Sequence, residues 1–158
     1  MTLEQKIAYC AGIIDGEGCI TIMKRKPRPG QFTKGSKTQD YKVGYHLRIS
    51  ATMRNNYPLL LLQEVFGGSV NLQKTGMPSG LNYKMWVWQC FSDEAVNTLS
   101  KIAYILQAKR DQAILGLNFA RLKKKYGGMS DTEIQEEQDF RKAFYLKMKE
   151  LKVSYHTV

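Results

Sequence analysis

A chain of 158 residues has the length of one domain and can bury a core without covalent or metal staples. Its 24 basic side chains against 14 acidic ones give +10, which points to a polyanionic partner, nucleic acid ahead of an anionic membrane surface. Three cysteines with no Cys-x-x-Cys pair, and histidines only at 46 and 156, argue against a disulfide scaffold, a zinc finger and a histidine-based nuclease.

Thr2 and Gln5 have capping-box spacing, so a helix is expected to start at Leu3. Leu3, Ile7, Ala11 and Ile14 recur at helical spacing along one face. Gly12 inside that helix costs about 1 kcal/mol relative to alanine, a cost usually accepted where another backbone comes very close. Gly16 and Gly18 are expected to end the helix with tight or positive-φ geometry and to aim Glu17 from its end. No leader precedes this helix and no apolar run reaches membrane-spanning length, so the expectation is an intracellular chain without a membrane partner.

Residues 19–25 read as a short strand, and 26–40 as a basic loop broken by Pro27, Pro29, Gly30 and Gly35. From 41 to 54, apolar side chains at odd positions alternate with polar ones at even positions without a break. This predicts a strand of about 14 residues at roughly 3.3 Å each, with one face buried. The charge is clustered here: residues 19–54 hold nine basic side chains and a single acid, Asp40. A generally basic protein accounts for the total but not for the clustering.

Asn55 or Asn56 caps a second helix with Pro58 in its first turn, and Gly67-Gly68 stops it. Strands at 69–74 and 81–90 form a hairpin around the loop at 75–80. Lys84, Trp86 and Trp88 share one face of the second strand, and Tyr83, Met85 and Val87 the other. Both faces are apolar enough that either could be buried. Ser92 opens a helix through Ile102, another runs from about Ala108 to Arg121, and Ser130 with Glu133 opens a charge-rich C-terminal helix to about Lys152. The mixed charge of this last helix reads as a solvated surface.

Residues 10–18, Cys-Ala-Gly-Ile-Ile-Asp-Gly-Glu-Gly, resemble the motif of the LAGLIDADG homing endonucleases, with mild departures at Cys10, Ile13, Gly16 and Glu17. Gly67-Gly68-Ser69-Val70 and Lys109-x-x-Gln112-Ala113 are similar to that family too. The resemblance implies an α+β fold, an αββαββα unit whose four-stranded antiparallel sheet saddles double-stranded DNA. Residues 1–158 would then be a single LAGLIDADG domain, with its core at 3–125 and a C-terminal helical extension at about 130–152.

The same resemblance implies two motif helices packed together, each delivering one acid to a scissile phosphate. With a single motif per chain, a homodimer follows. Glu17 is the expected catalytic metal ligand, joined by the backbone carbonyl of Gly16. Asp15 and Gly12 are expected to support the helix ends and their crossing. Lys109 matches a basic residue that, in the family, polarises the attacking water or stabilises the transition state. Phosphodiester hydrolysis on hard oxygen ligands suits Mg²⁺, with Mn²⁺ as the alternative ion. Met53 departs from the pattern, standing where many relatives carry Gln or Asn near the nucleophilic water.

DNA contacts are expected from Lys24, Lys26, Arg28, Lys42, His46, Arg48, Ser50, Thr52, Arg54, Asn71, Gln73 and Lys84, as base readers on the strands and phosphate contacts in the basic loop. Two other functions fit the same fold. One is a group I intron maturase, with intron RNA as its partner, and the other is a DNA-binding regulator that does not cleave. Retention of Glu17 favours cleavage, and Met53 argues mildly against it.

Overall fold

The computed structural model describes residues 1–26, 43–76 and 82–154. The elements run α1 (Leu3–Glu17), β1 (Gly18–Arg25), β2 (Gly44–Met53), α2 (Tyr57–Phe66), β3 (Ser69–Gly76), β4 (Asn82–Phe91), α3 (Ser92–Ile102), α4 (Arg110–Leu122) and α5 (Asp131–Ser154). The four strands form one antiparallel sheet in the order β1-β2-β4-β3, so the expected α+β architecture is present. Arg28, Lys42 and the basic loop beyond Lys26 lie outside the described residues.

Local chemistry sets the helix starts. The Thr2 hydroxyl accepts from the Gln5 N–H at 3.2 Å while the Gln5 side chain accepts from the Thr2 N–H at 2.8 Å, which satisfies two orphan donors of α1. Ser130 and Glu133 make the same reciprocal pair at the start of α5. Two expected starts differ in detail. Asn56 takes the cap position of α2 but it is Asn55 Oδ1 that accepts from the Tyr57 N–H, and Ser92 is the first residue of α3, at φ 47°, behind Phe91 as cap.

The end of α1 corrects the expectation for Gly16 and Gly18. The helix continues through Gly16 to Glu17, and the positive-φ glycines among the described residues are Gly67, Gly68 and Gly128. Gly18 is extended at φ −82°, and it is required for closeness: a Cβ there would sit 2.4 Å from the carbonyl oxygen of Ile14. The chain therefore passes from helix to strand with no intervening loop.

The helices cover one face of the sheet, and strand parity follows from the register. Ile20 pairs with Ile49 and Ile22 with Leu47, all four buried under the helices. Ala51 pairs with Trp88, and Ile49 with Cys90, which settles the face of β4 that the sequence left open. Trp88 is fully buried, and its indole N–H donates to the Gly67 carbonyl at 2.8 Å. Burying each such large side chain contributes roughly 1.5–3 kcal/mol. Burial pushes the thiols of Cys10 and Cys90 up to about 11, so both stay protonated at neutral pH, as core residues do.

Two expected lengths and surfaces change. In the described chain β2 has ten residues, and Arg54 lies beyond its end. The helix α5 is more than a solvated surface. Met148 on it is buried, Phe144 and Tyr145 pack against the core, and Tyr145 lies 5.8 Å from Tyr45 between ring centres. Its outward charges concealed an apolar inner stripe, because bulky aromatics spaced along 24 residues give a weak periodic signal. Near its start, Glu137 is buried with Arg141 Nε at 2.6 Å and accepts from the Lys124 N–H at 2.9 Å, which joins α5 to the end of α4.

Candidate active site and nucleic-acid interface

Both acids of the motif stand in the last turn of α1, where the helix dipole favours cations, and that turn carries no basic residue. The two acids meet this electrostatic cost differently. Asp15 has a counterpart. Its carboxylate accepts from the backbone N–H groups of Gln107 at 2.9 Å, Ala108 at 3.1 Å and Lys109 at 2.8 Å, the donors at the start of α4. Burial alone would raise the Asp15 pKa, but these three donors and the nearby Lys109 ammonium outweigh it and hold the carboxyl below its ordinary value. Asp15 thus ties the C-terminal end of α1 to the N-terminal end of α4. The Lys109 ammonium completes the tie by donating to the carbonyl of Asp15 and, at 3.4 Å, to that of Gly16.

Glu17 has no such counterpart. It is exposed, and its carboxylate makes no hydrogen bond or ion pair among the described residues. An uncompensated acid at the wrong end of a helix breaks a local rule, and such violations gather at functional sites. Gly12 and Gly16 lie one turn apart on the exposed side of α1, and a Cβ at either position would meet nothing within 4 Å. The closeness inferred for Gly12 is therefore not to any other described residue of this chain.

The donor set has the chemistry for a hard cation, a free carboxylate beside backbone carbonyls, yet one chain supplies little of it. Among the described residues no three His, Cys, Asp or Glu side chains cluster as metal ligands do. Mg²⁺ keeps several waters and takes only one or two carboxylates, so the oxygen chemistry of Glu17 and its neighbours fits an ion of that kind.

On the sheet, the face away from the helices holds Thr21, Met23 and Arg25 of β1, His46, Arg48, Ser50 and Thr52 of β2, Gln89 of β4, and Ser69, Asn71 and Gln73 of β3. No strand contains a single acidic residue. The expected residues on β2 and β3 are thus brought together on one surface. Lys24 and Lys84 are not: Lys24 pairs with buried Tyr45 and Lys84 shares the parity of Trp86, which puts both on the helix side, at its exposed margin. Lys26 and Arg54 follow the ends of β1 and β2. Sequence reading missed Arg25, which the register sets beside His46. The missed signal was parity, since Arg25 falls two residues after Met23 and opposite Gly44. Met53 is half-buried against the core opposite Trp86, and it is Ala51 and Ser50 that face the exit of the motif, paired with Gly18 and Cys19.

Two of these side chains are held in place before any ligand arrives. Arg48 donates through Nη2 to Ser50 Oγ at 3.1 Å and through Nη1 to Met23 Sδ at 3.5 Å, while its buried Nε has no partner among the described residues. Burial, and then the charges of Arg25, Lys123 and Arg141, hold the His46 pKa below 6.5, so the ring is neutral at neutral pH.

A four-stranded antiparallel sheet with an acid-free face, entered directly from a helix that ends in an exposed carboxylate, defines a class of nucleic-acid-directed α+β domains. The chain belongs to the LAGLIDADG endonuclease family, whose model matches residues 10–102, from within α1 to the end of α3. Among solved structures, the homing endonuclease I-CvuI in complex with its target, in the presence of 2 mM Ca, is 22% identical. That comparison covers 94% of this chain and 83% of that one, with a TM-score of 0.65. I-CvuI with the I-CreI target and 2 mM Mg is 20% identical, covering 99% and 98%, at 0.60. The archaeal intron-encoded homing endonuclease I-Vdi141I, complexed with DNA, is 18% identical, covering 89% and 98%, at 0.56. At these identities the likeness is one of fold. No curated protein matches the chain significantly.

Proposed function

We propose that this chain is a site-specific DNA endonuclease that acts as a homodimer on a nearly palindromic duplex, with a divalent cation, Mg²⁺ or Mn²⁺, held between the two copies. The observation that carries this reading is Glu17, a carboxylate unpaired among the described residues, at the exposed end of a helix whose outer side carries Gly12 and Gly16. Two copies crossing at Gly12 and Gly16 bring two Glu17 carboxylates together, and those carboxylates with the Gly16 carbonyls are the groups that would hold the cation. Once bound, such an ion neutralises charge on the phosphate and favours a nucleophile at neutral pH. The protein's own part is positional. Asp15 fixes the helix end, the sheet seats the duplex, and Lys109 presents an ammonium beside the cleavage point once it leaves the Gly16 carbonyl to the cation.

The open face supplies recognition. A ten-residue β2 at about 3.3 Å per residue spans roughly 33 Å. At about 3.4 Å per nucleotide along one strand, this allows on the order of ten base pairs per subunit. Arg48, already oriented by Ser50 and Met23, matches the bidentate edge of guanine, and Asn71 and Gln73 match adenine. Arg48→Ala is expected to relax preference at one base position by about 1–3 kcal/mol. Arg25→Ala should weaken binding to all sequences alike and lower the salt dependence by about one unit, as loss of a phosphate contact does. Affinities for single-base variants of the target across a KCl series separate the two; unchanged affinity in both variants would mean a merely solvated face.

The direct test of the function is selection. A randomised library of closed circular duplexes is treated with the protein and Mg²⁺, and linear products are captured and sequenced. Recovery of a nearly palindromic consensus is the expected result. Selective binding without linear product would favour a regulator instead. Dimerisation has its own test in Gly12→Leu. Open space around Gly12 lets the monomer accept leucine, which gains up to about 1 kcal/mol of helix propensity, whereas a partner helix is pushed away. Sedimentation should show Gly12→Leu as a folded monomer that neither dimerises nor cuts. A wild-type chain that stays monomeric at micromolar concentration, with or without DNA, would sink the shared site.

A further inference from the structure

Beside the motif, a cavity of about 360 Å³ is lined by Gly16, Gly18, Cys19, Ala108, Lys109, Gln112 and Lys152. Six of these seven come from the end of α1, the start of β1 and the first turn of α4 and its approach. The seventh, Lys152, arrives from the far end of α5. Having left α4 near Lys124, α5 runs back along β1, and its last turns bring the Lys152 ammonium to 3.0 Å from Cys19 Sγ. Cys19 pairs with Ser50, so by parity it belongs to the open face, and β1 is an edge strand. Lys152 therefore reaches the sheet edge where the open face meets the end of the motif helix.

That ammonium is poorly matched. It has three donors, and its only hydrogen-bond partner among the described residues is a thiol sulfur, a weak acceptor. Among the described residues no carboxylate pairs with it. Gln112, in the same cavity, is 5% exposed and has no hydrogen bond to its amide among the described residues. Its amide is open to the cavity, so it and the ammonium together offer hydrogen-bond donors to an oxygen-rich anion. Lys109 supplies a second positive charge in the lining of the same cavity.

We propose that Lys152 is a further DNA-contacting residue, which holds a backbone phosphate next to the cleavage point across the cavity from Lys109. The proposal rests on the endonuclease reading and adds to it a contact from the C-terminal helix, outside the segment that the family model matches. A lysine suits the role, being a point charge with rotatable donors that accepts a phosphate from several directions. The contact fixes the position of the strand and carries no base preference.

The test uses the full chain and a duplex that the wild-type protein recovers from a randomised pool, with EDTA present so that nothing is cut. Affinity is measured across a KCl series. Lys152→Met, which keeps the aliphatic stem, is expected to lower the slope of log affinity against log salt by about one unit, with an unchanged unfolding midpoint and the same dimer. Lys152→Gln should behave alike, and Lys152→Arg should keep the wild-type slope. Cys19→Ala should also keep it. An unchanged slope in Lys152→Met and Lys152→Gln overturns the proposal, as does an equal loss in Cys19→Ala, which would mean that Lys152 only anchors the thiol. If the wild-type chain recovers no duplex, the nuclease reading fails first and takes this contact with it.

Discussion

Replacing Glu17 by glutamine is expected to abolish strand scission while leaving fold, dimer and DNA affinity nearly intact. Glutamine keeps the shape and removes the charge that a divalent cation requires. Loss of charge stabilisation worth several kcal/mol corresponds to about three decades of rate or more. The fold has little to lose, because Glu17 is exposed, has no partner among the described residues and opposes the dipole of α1. Affinity should rise slightly, since two negative charges no longer face the phosphates. Glu17→Asp should retain measurable cutting, as the carboxylate survives with a shorter reach. The assay is linearisation of a plasmid carrying the selected site, with Mg²⁺ and with EDTA. Equal cutting by wild type and Glu17→Gln would remove this residue from the mechanism.

The neighbouring acid should respond in the opposite way. Asp15→Ala is expected to cost about 2 kcal/mol or more in stability, because it strands the three N–H donors at the start of α4 and removes their negative counterpart. Asp15→Asn keeps an acceptor oxygen and should recover part of that loss. The pH dependence follows from the direction of the shift. The folded-state pKa lies below the ordinary 3.8, so the contribution of Asp15 is fully present above that value and is lost as pH falls through the folded one. Urea unfolding of wild type and Asp15→Ala between pH 7 and pH 2.5 should give curves that converge at the acid end. A constant difference across that range would mean that Asp15 contributes through packing instead of through its charge.

What the sequence made plain was local. Thr2 and Gln5 sit three residues apart, and the alternation from Tyr45 to Ala51 follows from the pleat of one strand. What it hid depended on pairing between distant segments. Lys24 and Arg25 are equally basic, and only the pairing of β1 with β2 decides that Arg25 lies on the open face. Both faces of β4 are apolar, so the burial of Trp88 had to come from its seat opposite Ala51 and its bond to Gly67. Lys152 lies 133 residues from Cys19, beyond the reach of any motif or periodicity. Family resemblance implies that Asp15 ties helix ends together; that its partners are residues 107–109 is a fact of the fold alone.

The clamp of Asp15 on the start of α4 separates two kinds of heritable change. Under the proposed function base preference resides on the strands, whereas the placement of Glu17 depends on where α4 begins, and among the described residues the segment from Ala103 to Lys109 touches none of the open-face residues through hydrogen bonds. A site of this kind tolerates positional error of only about half an ångström. Substitutions in that short connection would therefore tune how fast a duplex is cut without altering which duplex is chosen. Drift in target sequence and drift in turnover could proceed independently in one small domain.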